Sequence, residues 1–360
     1  MRRMSSRRVF LHVGTPKSGV TGLQRRLAAN RKLLADQGVL YPDQPHDNHF
    51  HPAVDLTGRE WAGEADRARG RWDQLAADAN RAGGDVLISH EVLSAAAPDQ
   101  VGRAFRSFPD ADVHVVLTAR DLGRQLPAEW QESVTHRGRS SFSKYAKRVA
   151  RAPRTRPDLW FWRVHSVPDV LTRWGTGLPP DRVHVVTVPQ PGGPAGALWE
   201  RFASVLGLDP SLPYTGVDED EPVLGIAEML VLRRLNARLR ELDVPRETYG
   251  ALVRALLVRE TFAQRPCDEP VVVPPRRREF VEEVTTEWLE WLRGSGVDVV
   301  GDLGDLQPVW PDPDASPNPD SPRARDVTDA AIEALAAVVA NVERDGDASL
   351  VRVARRLLRP

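Results

Sequence analysis

Short β-branched runs alternate along this chain with segments whose apolar positions recur every three or four residues. That alternation predicts an α/β fold: a central parallel sheet flanked by helices, with a helical C-terminal half. "RRVFLHV" (7–13) is the first predicted strand, and "TGLQRRLAANRKLLADQG" (21–38) the first helix. In that helix Leu23, Leu27 and Leu34 form one apolar stripe, and Gly38 suits its C-terminal end. "DNHFHPAVDL" (47–56) reads as loop, followed by a charged helix around 61–82 and a strand, "DVLISHE" (85–91). A helix near 98–108 precedes the strand "DVHVVLTARD" (112–121). Then come a helix at "QLPAEWQESV", a basic loop "THRGRSS" (135–141), helices near 142–151 and 166–175, and a fourth strand, "RVHVVTV" (182–188).

Beyond "PQPGGP" (189–194) the pattern is helical, through "ALWERFASVLGL", "LGIAEMLVLRRLNARLREL" and "RREFVEEVTTEWLEWLRGSG". The stretch 310–326 is rich in proline, aspartate and serine and reads as a linker between a domain over 1–309 and a C-terminal helical segment over 327–360. Most tryptophans fall in helical patterns and are expected in the core; for Trp130 too the core is the first expectation, with a pocket wall as the alternative.

Composition narrows the class. The 360 residues carry 41% hydrophobic and 28% charged side chains and a net charge of −1, an ordinary globular balance that argues against a dedicated nucleic-acid binder. A lone cysteine, Cys267, excludes an intramolecular disulfide and fits a reducing, cytoplasmic setting. No apolar run reaches the ~18 residues of a membrane span, and the basic N-terminus lacks the apolar core of a signal peptide. Only four lysines occur, Lys17, Lys32, Lys144 and Lys147, in a chain that otherwise writes arginine.

Lys17 lies in the most informative stretch, "FLHVGTPKSGVTGLQRRL" (10–27), which reads as strand, glycine-bounded loop and helix. A helix N-terminus presents unbonded N–H groups and partial positive charge, so this layout suits a phosphate. Gly14 and Gly19 have the spacing of a nucleotide-binding loop, but Val20 follows the second glycine and the lysine sits inside the loop. Ser18 and Thr21 add hydroxyl donors, and Lys17 is placed to meet charge developing on a leaving phosphate.

"GTPKSGVTGLQ" resembles the 5′-phosphosulfate loop of sulfotransferases that use 3′-phosphoadenosine 5′-phosphosulfate (PAPS), with Thr15, Pro16, Lys17, Ser18, Gly19 and Thr21 matching that family's T-x-P-K-S/T-G-T-T. The family's second signature, a 3′-phosphate arginine opening a helix after a later strand, is matched by Arg120 and Asp121 in "VVLTARDLGRQLPAEWQ". Further text resembles a bacterial subgroup, and the likeness covers about 8–210 well and 211–308 loosely. It implies a P-loop-type sheet, PAPS as donor, 3′,5′-ADP as product, no metal, and a small-molecule or glycan acceptor. The nucleotide would be held by residues 15 to 22 and Arg120. Three positions depart: Val20 replaces a threonine, Gly22 an aromatic that can lie on adenine, and Ala128 a serine eight residues after the arginine. Each neutral hydrogen bond lost weakens binding by roughly 0.5–1.5 kcal/mol, with Arg124, Ser133 and the basic loop (Arg137, Arg139) as candidate compensation.

Transfer needs a base for the acceptor's proton. In the family it is a histidine or glutamate near a strand end beside the loop, and "DVLISHEVLS" offers both, Glu91 first and His90 second. His46, His49 and His51 of "HDNHFH" match no zinc spacing; they are alternative bases or acceptor-pocket residues, and His12 reads as structural. Two other functions stay open: a catalytically silent nucleotide-binding protein and a metal-assisted P-loop phosphotransferase recruiting Glu91 or Asp121.

Overall fold

A computed structural model describes residues 7–44, 48–59, 63–155, 157–215, 223–267, 269–312 and 317–345. Six strands, β1 (Arg8–His12), β2 (Val39–Leu40), β3 (Asp85–Ser89), β4 (Asp112–Ala119), β5 (Val183–Thr187) and β6 (Asp298–Val300), form one sheet in the order β2-β3-β1-β4-β5-β6. Every neighbouring pair is parallel. The α/β prediction therefore holds, and β1 lies in the interior of the sheet where the chain's progression changes direction, the place such sheets use for ligands.

Both faces are covered, which is why β1 reads as an unbroken apolar run rather than an alternation: Val9, Phe10 and Leu11 are all fully buried. Helix α1 (Val20–Ala29) buries Val20, Leu23, Gln24 and Leu27, one face at three- and four-residue spacing. Leu23 and Leu27 pack with Phe10, Leu87, Val116, Val186 and Phe202 in a single cluster. At about 1.5–3 kcal/mol for each fully buried large apolar side chain, that cluster fixes where α1 begins. Asp85 accepts the Arg8 backbone N–H and the Arg8 Nε–H, both at 2.8 Å, tying β1 to β3. Near the strand starts, the His114 and His184 rings meet at 2.9 Å and His184 reaches Asp298 at 2.7 Å, a polar chain across β4, β5 and β6.

The structure corrects several expected elements. Residues expected as loop over 47–56 contain a helix, Phe50–Thr57, because Ala53, Val54 and Leu56 are buried there and Pro52 falls in its first turn, where proline needs no N–H partner. β3 stops at Ser89, and Glu91–Ala95 is a 3-10 helix instead of strand end. The charged helix near 61–82 appears as Ala65–Ala68 and Arg71–Arg81, with Gly70 left-handed (φ 75°) between them. β2 and β6 were not expected.

Contacts group the chain into two units: Met1–Gln125, Arg151–Asp220 and Glu279–Val309 carry the sheet, and Leu126–Ala150, Glu221–Arg278 and Trp310–Pro360 form the second. In the second, Trp130 is fully buried and meets Phe142 edge-on at 5.4 Å, a core residue and not a pocket wall. Asn236 joins Val134 and Gly138 carbonyls to the Tyr249 hydroxyl. The helix Ala324–Asp345 packs against Ile226–Glu241 in this unit. Among the described residues no helix is long and apolar enough to cross a membrane.

Candidate functional site

The loop leaves β1 pinned to β4. Thr15 N–H donates to the Thr118 carbonyl at 2.8 Å and Thr118 N–H to the Gly14 carbonyl at 2.6 Å. Two left-handed residues, Lys17 (φ 59°) and Gly19 (φ 83°), then curl the backbone before α1. Glycine adopts this conformation without strain, but a lysine costs about 1–2 kcal/mol there, a conformation the surrounding bonds must enforce. At Gly19 a Cβ would stand 2.5 Å from Leu198 Cδ2; at Gly14 (φ 103°) it would stand 3.1 Å from both Cα and Cβ of Glu91. The loop therefore lies against Glu91, two residues past the end of β3.

Side chains inside the loop divide by direction. Ser18 is fully buried, donating to the Thr15 carbonyl at 2.5 Å and sharing a 2.5 Å bond with the Thr118 hydroxyl, so it braces the loop from within. Val20 is 3% exposed and belongs to the core. Lys17, Thr21 and Gly22 are partly exposed. The first turn of α1 leaves the Val20 and Gly22 amides without intrahelical acceptors.

Arg120 comes to this loop from the end of β4, its Nη1 donating to the Lys17 carbonyl at 3.0 Å. Asp121, 1% exposed, accepts the Arg124 backbone N–H at 3.0 Å at the start of the following helix. Arg124 also binds the Asp121 carboxylate and the carbonyls of Pro189 and Val188, so it clamps β4 to the chain after β5. Ser133 donates to the Trp130 carbonyl, and Arg137 lies 4.5 Å over the Tyr249 ring while donating to Val244 and Pro245. These three side chains have structural work of their own.

His90 and Glu91 separate clearly. The His90 ring is 5% exposed, and its Nδ1 accepts the Val92 N–H at 3.2 Å, capping the 3-10 helix. Burial lowers its pKa while the Glu91 carboxylate opposes that, so the neutral ring carries its proton on Nε2 and its basic nitrogen is occupied. The Glu91 side chain is 29% exposed; Oε2 lies 3.6 Å from His90 Nδ1 and accepts from Gln24 Nε2 at 3.4 Å. That Gln24 amide also donates to the Ser89 carbonyl at 3.1 Å.

The other histidines disperse. His12 lies between Ser89 Oγ (2.8 Å) and Thr118 Oγ1 (3.3 Å), and burial, then His90, lowers its pKa to about 3. His49 Nδ1 accepts the Ser89 N–H and Nε2 donates to the Pro42 carbonyl, with burial holding its pKa at about 4. His51 meets Glu64 at 3.1 Å. His46 lies outside the described residues. Among the described residues no group of three or more His, Cys, Asp and Glu forms a metal cluster.

Gln24, Thr118 and Gln125 escaped the sequence reading. Gln125, 1% exposed, donates to the Pro16 carbonyl and to His165 Nδ1 at 2.8 Å. Gln24 had a signal: it is a polar residue in phase with the buried stripe of α1.

No family model matches the chain, and no curated protein sequence does. Among solved structures, a sulfotransferase from Alicyclobacillus acidocaldarius overlaps 68% of this chain and 95% of its own at 17% identity and a TM-score of 0.38.

Proposed function

We propose that the chain is a sulfotransferase that moves a sulfuryl group from PAPS to a hydroxyl or amine of a small molecule or glycan. One observation carries this reading: the loop after β1, Glu91 after β3 and Arg120 after β4 converge from three adjacent strands. The cradle suits an anionic nucleotide. Gly14 and Gly19 hold left-handed backbone that a side chain would crowd, the Lys17 backbone is held left-handed, and amides, a hydroxyl and two cations are the donors a phosphate requires.

In this scheme Thr15 to Gly22 hold the 5′-phosphosulfate, with Thr21 as hydroxyl donor and Thr15, Pro16, Ser18 and Val20 contributing backbone and bracing. Arg120 binds the 3′-phosphate. When bound, PAPS supplies an activated sulfuryl group on its 5′-phosphate. Lys17 stabilises the negative charge left on the departing phosphate oxygen. Glu91 accepts the acceptor's proton as the new oxygen–sulfur or nitrogen–sulfur bond forms and the phosphate–sulfur link breaks. Gln24 and His90 hold the carboxylate and its backbone in place. The proton ends on Glu91 and the leaving electron pair on 3′,5′-ADP.

Calorimetric titration tests this with 3′,5′-ADP beside Mg²⁺–ADP and Mg²⁺–ATP. The reading expects binding that requires the 3′-phosphate and falls at least tenfold in both Arg120→Ala and Lys17→Ala. A folded protein indifferent to 3′,5′-ADP sinks it, and Mg²⁺-dependent ATP binding would favour a phosphotransferase.

A further inference from the structure

At the far end of the 3-10 helix that begins with Glu91, two guanidinium groups share one surface. Arg59, just past the helix Phe50–Thr57, lies 4.6 Å over the Trp160 ring. Trp160 and Arg163 are three apart on the helix Trp160–His165 and so lie side by side on it. Arg163 Nε donates to the Ala95 carbonyl at 2.9 Å, which fixes that helix to the end of Glu91–Ala95. Both arginines are partly buried, and among the described residues no carboxylate pairs with either. Burial, then the Arg163 charge, lowers the Arg59 pKa. Nearby Arg173 is different: it is bonded to Asp169 and to the carbonyls of Ser94, Ala96 and Arg163.

A half-buried cation ordinarily has an anion beside it, because burial removes water that is not replaced. Among the described residues the Arg59 charge lies over the face of an indole, with a second cation next to it. We infer that Arg59 and Arg163, with Trp160 as platform, form an acceptor subsite for an anionic group, so that the molecule sulfated at Glu91 carries a carboxylate, sulfate or phosphate of its own. The Glu91–Ala95 helix sets the offset between base and subsite: four steps at the ~2.0 Å rise of a 3-10 helix give about 8 Å along its axis. That is the reach of a substituent on the same sugar ring or aromatic scaffold as the reacting hydroxyl, or on the adjoining unit. Two guanidinium forks suit planar or tetrahedral oxyanions, and the ring face adds affinity for an apolar or sugar surface.

The substrate assignment rests on the sulfotransferase reading; the anion subsite is tested by binding alone. The experiment titrates the full chain, saturated with 3′,5′-ADP, against matched pairs: methyl glucuronide and methyl glucoside, 4-hydroxybenzoate and 4-hydroxybenzamide, glycerol 3-phosphate and glycerol. At least one anionic member is expected to bind ten times more tightly than its neutral partner. Arg59→Gln, whose native guanidinium donates no hydrogen bond among the described residues, should erase that preference and leave 3′,5′-ADP affinity within twofold. Arg163→Lys, which keeps the charge, should retain part of it. Neutral members binding as well as anionic ones, no anionic member binding, or an unchanged preference in Arg59→Gln each overturns the inference. Failure of 3′,5′-ADP to bind, with the anionic preference present, sinks the sulfotransferase reading and leaves the subsite standing.

Discussion

Gln24 holds the carboxylate proposed as the base. Its amide spans from the Ser89 carbonyl to Glu91 Oε2, fixing one carboxylate oxygen while 29% of the side chain stays exposed. Glu91→Gln should therefore lower single-turnover sulfation by about 10²–10⁴, the usual range for a lost general base, with 3′,5′-ADP affinity within twofold by calorimetry. A variant with unchanged turnover would move the base elsewhere. Gln24→Leu keeps volume in the α1 core and should reduce kcat by about tenfold with little change in nucleotide affinity. That the segments carrying Lys17, Glu91 and Arg120 meet could be expected from the sequence because local text marks each: a glycine-bounded loop, a strand end, an arginine opening a helix. Gln24, Thr118 and Gln125 were not, because their partners lie 65, 100 and 109 residues away. A glutamine inside an amphipathic helix reads as ordinary polarity until the strand beside it is known.

Among elements, the loop and α1 depend on each other. Val20 is the first helical residue and faces the core, so the position that carries a threonine in the sulfotransferase loop serves packing here. Gly19→Ala meets two obstacles, a φ of 83° and a Leu198 Cδ2 at 2.5 Å. It should cost about 1–2 kcal/mol or more, read as a lower urea midpoint at unchanged slope, with weakened 3′,5′-ADP binding. An unchanged midpoint would mean that Leu198 yields and the turn does not need glycine. β4 and the start of α1 were readable, but the helix expected over 21–38 breaks at Asn30 into Val20–Ala29 and Arg31–Asp36. The short strands were not readable: β2 and β6 span two and three residues, too few for any period, and owe their existence to strands beside them. Phe50–Thr57 was missed because histidines and a proline mask a face that only burial against Glu91–Ala95 reveals.

For the whole molecule, buried histidines make stability depend on pH. His12, His49 and His114 have folded-state pKa values of about 3, 4 and 4, mainly through burial. Against an unfolded value near ~6.5, the unfolded chain takes up protons first as pH falls. The stability these neutral rings allow is thus complete above about pH 7, and it declines below about 6.5 until each folded pKa is passed. Each ring contributes at most about 1.4 kcal/mol per pH unit crossed. Urea midpoints at pH 7.5 and 5.0 should show the sheet-bearing unit clearly weaker at the lower pH, and less so in His114→Gln, whose ring is partly exposed where those of His12 and His49 are buried, which makes it the most replaceable of the three. Equal midpoints at both pH values would mean that these rings are protonated in the fold.

The strand order has a further consequence, for how the molecule fails. Every loop that carries a proposed nucleotide contact or the proposed base follows β1, β3 or β4, each hydrogen-bonded on both sides, while the two outermost strands contribute nothing to that site and are the shortest. Edges open first in a sheet, since they have fewer bonds to break. Amide hydrogen exchange should therefore be slowest in Val9–Leu11 and Val115–Leu117 and far quicker at Val39 and Val299, and 3′,5′-ADP should retard exchange in the loop without protecting those edges. A molecule built this way frays at its margins while the strands that carry the proposed nucleotide site stay closed.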